Sequence, residues 1–154
     1  MKKIIIAIVA VFAMSTAASA QIQDLGLRLG GGNSFGGEIS AMWGLGGNRL
    51  ETDLGWDNYA DHWSHIGLSC VYQWTGDIAG EFGWFAGLGA NLGLYMGDAV
   101  NDAFGLAVCV QGGIEWNPSA IPFQFTLDVR PAWHLIGEYT GFGWGAALGI
   151  RYRF

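Results

Sequence analysis

An all-β fold, an eight-stranded antiparallel up-and-down transmembrane β-barrel, is predicted by three observations. Apolar and polar residues alternate with period two along nearly the whole chain after residue 24, which is the pattern of strands with one apolar and one polar face. The alternating segments number eight, each about nine to thirteen residues long, the length a tilted strand needs to cross a bilayer. Aromatic residues collect towards the segment ends and aliphatic ones in their middles, as expected where amphipathic rings prefer a membrane interface.

The chain begins MKKIIIAIVAVFAMSTAASA, with Lys2 and Lys3, an apolar run from Ile4 to Met14, and small residues at Ala18, Ser19 and Ala20. This is the pattern of a cleaved signal peptide over 1–20, too short in its apolar part to span a bilayer as a helix. Residues 21–154 then form one domain of 134 residues (154 − 20). Losing Lys2 and Lys3 takes the basic residues from seven to five, all Arg, and the formal charge from −6 to −8. An acidic exported chain without a basic patch is a poor binder of nucleic acid. Cys70 and Cys109 fall on opposite faces of their segments, which argues against a disulfide between them.

The apolar faces run in order through Leu25, Leu27 and Leu29; Ile39, Ala41, Trp43 and Leu45; Leu50, Thr52, Leu54 and Trp56; and Ile66, Leu68, Cys70, Tyr72 and Trp74. They continue through Phe82, Trp84, Ala86, Leu88, Ala90, Leu92 and Leu94; Phe104, Leu106, Val108, Val110, Ile114 and Trp116; the odd positions from Phe123 to Trp133; and the even positions from Phe142 to Phe154. The opposite faces carry Gly, Ser, Asn, Gln, Asp, Glu and Arg, with Val71 and Phe85 as exceptions. A soluble sandwich shows similar alternation, but it has no reason to sort its aromatics into two belts. With both ends of the mature chain on the inner side, Trp43, Trp74, Phe82, Trp84, Trp116, Phe123, Tyr152 and Phe154 gather at the inner rim. Trp56, Phe104, Trp133, Phe142 and Trp144 gather at the outer rim. Inner turns are expected at 46–48, 75–80 and 117–122, and short outer loops at 31–36, 58–65, 96–103 and 135–141. FGWFAGLG at 82–89 and FGWGAALG at 142–149 run in opposite directions in this topology, so shared composition explains them better than duplication.

Every Arg of the mature chain falls on an inward position, as the cost of Arg on a lipid-facing wall requires. An inner-half cluster is expected from Asp24, Arg49, Glu51, Glu115, Arg151 and Arg153, and a mid-barrel cluster from Arg28, Glu38, Asp53, Asp128 and Arg130. Eight strands leave an interior just wide enough for side chains, and buried charges persist only when paired. The interior is therefore expected to be plugged, with no through-pore.

Two alternatives carry chemistry. The outer half of the interior is rich in small residues, among them Gly67, Ser69, Gly93, Gly105 and Ala107, which suggests an outward-open pocket with Asn91, Tyr95, Arg130 and His134 at its floor and wall. His62 and Ser64 share a lipid-directed parity. They resemble the His-x-Ser pair of the lipid A deacylases, with Asp98 as the nearby orienting carboxylate, although His65 stands where that family has Asn. No cofactor is expected, and no spacing of the Ca²⁺-loop type calls for a metal.

The pattern as a whole, ending Gly149-Ile150-Arg151-Tyr152-Arg153-Phe154, resembles the small eight-stranded outer-membrane barrels of Gram-negative bacteria, of the OmpX and OmpA membrane-domain type. Gly149, Tyr152 and Phe154 look like the C-terminal assembly signal of these barrels; Ala147 stands where a polar residue is usual. The resemblance implies residence in the bacterial outer membrane with both termini periplasmic. It also implies contact with outer-membrane lipid, dependence on the barrel assembly machinery and periplasmic chaperones, and a structural or surface-associated role.

Overall fold

The computed structural model describes residues 21–32, 36–59, 63–97, 104–137 and 140–154; the segment 1–20 lies outside them. Among the described residues there are ten strand segments: β1 (Gln21–Gly32), β2 (Gly37–Leu45), β3 (Asn48–Tyr59), β4 (Trp63–Ala79), β5 (Phe82–Gly97), β6 (Phe104–Trp116), β7 (Phe123–Val129), β8 (Ala132–Ile136), β9 (Gly141–Gly143) and β10 (Gly145–Arg153). They form eight staves, because β7 with β8 and β9 with β10 are each one strand interrupted once. All pairings are antiparallel between neighbours in the chain, and β1 pairs with β10 to close the sheet on itself.

Glycine sets the tight inner turns. Leu45 pairs with Asn48 across Gly46 and Gly47, and Ala79 with Phe82 across Gly80 and Glu81. Gly46 and Gly80 each occupy the first central position with φ of 75° and 58°, a left-handed conformation that a two-residue hairpin demands and that a side chain resists. The second turn is shorter than the sequence suggests. Instead of a turn over 75–80, β4 keeps pairing with β5 down to Ala79, giving a strand of 17 residues. Gly76 is a strand residue whose missing side chain admits the Trp84 indole, so a turn-like composition is used for packing. At the outer end, strand also extends into the expected loops, with β3 reaching Tyr59, β4 starting at Trp63 and β5 reaching Gly97.

Pro131 interrupts the seventh stave, since it has no N–H to give the ladder. The interruption is local. Val129 pairs with Gly112 and Ala132 with Cys109, three residues on along both strands, so the register runs through unshifted. Val110 N–H donates to Pro131 O at 3.0 Å, and Arg130 N–H to Gly145 O at 2.8 Å. Among the described residues the closing ladder with β1 reaches the pair Gly32 and Gly145, and β9 pairs with β8.

The core of this molecule is polar and its surface apolar. Leu27, Leu29, Leu54, Leu88, Leu127 and Leu148 are all exposed, whereas Arg28, Glu51, Gln73 and Arg151 are buried, along with Met42 and Val71. Rings in contact line the inner rim. Trp116 stacks between Phe82 and Phe125, at 6.1 and 5.3 Å between centroids. Tyr152 meets Phe123 and Phe154 edge-on at 5.7 and 5.2 Å. At the outer rim Trp133 and Phe142 lie 6.3 Å apart, and Trp144 stands 62% exposed.

Candidate functional site: the barrel interior

Alternation delivers every second side chain inward, and closure brings together residues far apart in the chain. Arg28 on β1 faces Asp128 on β7, one hundred positions away, through Nε at 3.1 Å and Nη2 at 2.5 Å. Its Nη1 meets Glu38 on β2 at 2.5 Å. Such a fork onto a carboxylate suits the planar guanidinium. Arg130 donates from Nη2 to Asp53 at 2.6 Å and to Glu51 at 3.3 Å. Arg151 donates from Nη2 to Glu51 at 2.7 Å and from Nε to the Ser40 hydroxyl at 2.9 Å.

The two expected clusters are joined. Glu51, placed with the inner group from the sequence, accepts from Arg151 and Arg130 and lies 3.9 Å from Arg28 Nε. It is fully buried and is the centre of the network. Strand tilt and stagger put side chains of different sequence depth at one level, and parity alone does not show that. Arg49 pairs with Glu115 at 2.6 Å and donates from Nε to Gln73; its guanidinium also lies 5.1 Å over the Phe85 ring. Asp24 is buried near the same end.

Arg153 takes a different place from the other arginines. Its Nη2 donates to the carbonyls of Pro118 at 2.7 Å and Ile121 at 3.1 Å, which ties the 117–122 turn to the last strand. It sits at the rim because it is next to the end of the stave. Among the described residues, the interior thus holds Asp24, Glu38, Glu51, Asp53, Glu115 and Asp128 with Arg28, Arg49, Arg130 and Arg151.

Neutral amides and hydroxyls that sequence reasoning left out complete the network. Gln73 donates to Glu51 and, at 2.8 Å, to Gln111; Gln111 donates to Asp128 at 3.1 Å. Ser40 donates to Asp53 at 2.5 Å, and Thr126 accepts from Arg151 at 3.0 Å. Their inward parity was legible, so an inward Gln beside an inward carboxylate was the available signal. With side chains bonded to one another across its width, the interior is plugged by a polar network.

Glycines shape the two ends of this filling. A Cβ at Gly113 would lie 2.5 Å from Phe85 Cζ, and one at Gly105 would lie 2.9 Å from Tyr95 Cε2. A Cβ at Gly93 would lie 2.6 Å from His65 Nε2. His65 and Tyr95 stack face to face at 4.2 Å between centroids, so much of the space that small residues leave in the outer half is taken by this ring pair. What remains is a cavity of about 40 Å³. Asn91, Tyr95, Arg130 and His134 all line it, together with Glu38, His65 and Ser69.

Gly149 faces Arg151 and Thr126, so its lack of a side chain lets that hydrogen bond form; Tyr152 and Phe154 belong to the inner ring contacts. Cys70 and Cys109 are free thiols, and Cys109 Sγ lies 3.4 Å from Asn91 Oδ1. His62 and Asp98 lie outside the described residues, and Ser64 is described only as a backbone position of β4, paired with Asn58 and Met96.

No known protein-family model matches the chain, and no curated protein matches it. Among solved structures, the crystal structure of Neisserial surface protein A (NspA) superposes with a TM-score of 0.65 at 13% identity, covering 88% of this chain and 99% of that one. At that identity the likeness is one of fold, and it agrees with the pairing described above: the chain folds as a closed, eight-stranded antiparallel β-barrel similar to that of Neisserial surface protein A.

Proposed function

We propose that this protein is an integral outer-membrane barrel with a non-conducting interior and a structural or surface-associated role. One observation carries the reading: the molecule is inside out for water. A band of exposed Leu, Val and Ile encircles a wall whose charged residues point to its axis. An apolar surface of that extent marks a lipid contact rather than a soluble monomer. The export pattern over 1–20 supports the location, and the C-terminal Gly149, Tyr152 and Phe154 support delivery by chaperones and the barrel assembly machinery. The buried ion pairs support the absence of a pore, since an aqueous path would have to run through side chains already bonded to one another.

The test has two parts. In cell fractionation the mature protein is expected in the outer membrane, and unboiled samples are expected to migrate differently from boiled ones in SDS. In planar bilayers the purified barrel should show no steady conductance; ohmic steps that persist in Arg28→Gln and vary with salt would contradict a plugged interior. A second reading, an outward-open pocket for a small ligand, is favoured by one observation, the cavity that Asn91, Tyr95, Arg130 and His134 share.

A further inference from the structure

Arg130 differs from the arginines it sits among. Its side chain is 3% exposed, yet only Nη2 is engaged, by Asp53 and Glu51. Its Nε and Nη1 are buried without a hydrogen-bond partner among the described residues, and the residue lines the outer cavity. Leaving donors of a charged group unmade in the interior is costly, so a residue kept in this state is poised to take an acceptor.

The cavity is built for one. Around Arg130 stand the Asn91 amide, the Tyr95 hydroxyl and the imidazoles of His65 and His134. Asn91 Oδ1 faces the Cys109 thiol, which leaves the Asn91 NH₂ as its free hydrogen-bonding end. The Glu38 carboxylate, also on the cavity wall, is held by Arg28. Arg130 Nε and Nη1 and the Asn91 NH₂ are thus the donors on this wall, while the Glu38 acceptor is committed to Arg28. A volume of about 40 Å³ holds roughly three non-hydrogen atoms at the space one water needs.

We infer that this cavity binds a carboxylate group, three heavy atoms in size, with Arg130 as its principal donor. The inference deepens the pocket reading above and rests on it. Asp53 and Glu51 share the charge of Arg130, and so small a ligand has few atoms to contribute, which together limit formate to roughly millimolar Kd. The carboxylate comes either as a small free anion or as the end of a longer molecule trailing out of the opening.

The experiment titrates the detergent-refolded protein, after its heat-dependent gel shift has been verified, with formate at constant ionic strength, following the ring signals of His65 and His134 and the Arg130 Nε signal by NMR. Saturable shifts at millimolar concentration are expected. Arg130→Lys keeps a cation beside Asp53 but loses the planar donor edge, and should weaken binding by about tenfold or more. Ala107→Leu fills the cavity from β6 and should abolish binding while leaving the gel shift intact. Butyrate binding more tightly than formate would identify a chain end; equal or weaker binding would identify a free anion. No saturable response, or an unchanged Kd in both variants, overturns the inference. Loss of the gel shift in the parent protein would instead strike at the barrel itself.

Discussion

Glu51→Gln is the substitution that separates a connected network from a set of independent pairs. Glu51 is fully buried and takes N–H groups from Arg151 at 2.7 Å, Arg130 at 3.3 Å and Gln73, with Arg28 Nε at 3.9 Å. Removing one partner of a buried ion pair costs about 3–5 kcal/mol. The glutamine carbonyl keeps one neutral acceptor, worth about 1 kcal/mol, but its NH₂ must then face one of the donors. The expected loss is about 2–4 kcal/mol. With an m-value of about 2 kcal/mol per molar urea, the unfolding midpoint in lipid vesicles should fall by about 1–2 M, followed by the fluorescence of the tryptophans and by the gel shift. Glu38→Gln is the comparison. Arg28 would retain both bonds to Asp128, so its loss should be nearer 1 kcal/mol. Equal midpoints for the two variants would refute the central position of Glu51.

The wall and the turns give further expectations. Leu127, 51% exposed on the outer face, should tolerate Arg far less well than its buried neighbour Asp128 tolerates Asn, because mid-membrane Arg costs about 2–4 kcal/mol; equal assembly yields in the outer-membrane fraction would reverse the face assignment. Gly113→Ala places a Cβ 2.5 Å from both Leu127 O and Phe85 Cζ, and should cost about 1–3 kcal/mol by overpacking, read as a lower urea midpoint. Glu81, in the β4–β5 turn, is held below the ordinary glutamate range by the backbone N–H and hydroxyl of Ser119 and by Trp116 Nε1. A depressed folded value means that its contribution is present above the unfolded glutamate range and is lost as pH falls through the folded one. Trp116 fluorescence should change over that acidic window in the parent protein and stay flat in Glu81→Gln.

How much of this was legible follows from what alternation encodes. Parity assigns a face, so the inward place of Arg28 and Asp128 and the outward place of Leu127 could be read directly. Rim positions such as Trp116, Tyr152 and Trp133 could be read from strand direction. Depth within the lumen could not, because it depends on the stagger of a closed sheet; that is why Glu51 was grouped with Arg151 and not also with Arg130 and Arg28. Arg153 shared the parity of Arg151, but one further step along the strand carries it past the lumen to the carbonyls of the 117–122 turn. Thr75, Gly76 and Asp77 resemble a turn in composition, and only the indole of Trp84 over Gly76 explains why they are strand. In the outer half, counting small residues suggested space, whereas His65 and Tyr95 on neighbouring strands reach over and occupy most of it.

The ion pair between Arg28 and Asp128 joins residues one hundred positions apart, and their staves are separated by the last one alone. A sheet that lacks its final two staves therefore leaves the first guanidinium without this carboxylate, a buried charge short of a partner. Closure of the hoop and neutralisation of its contents are one event. The lumen is a clasp, and it fastens last.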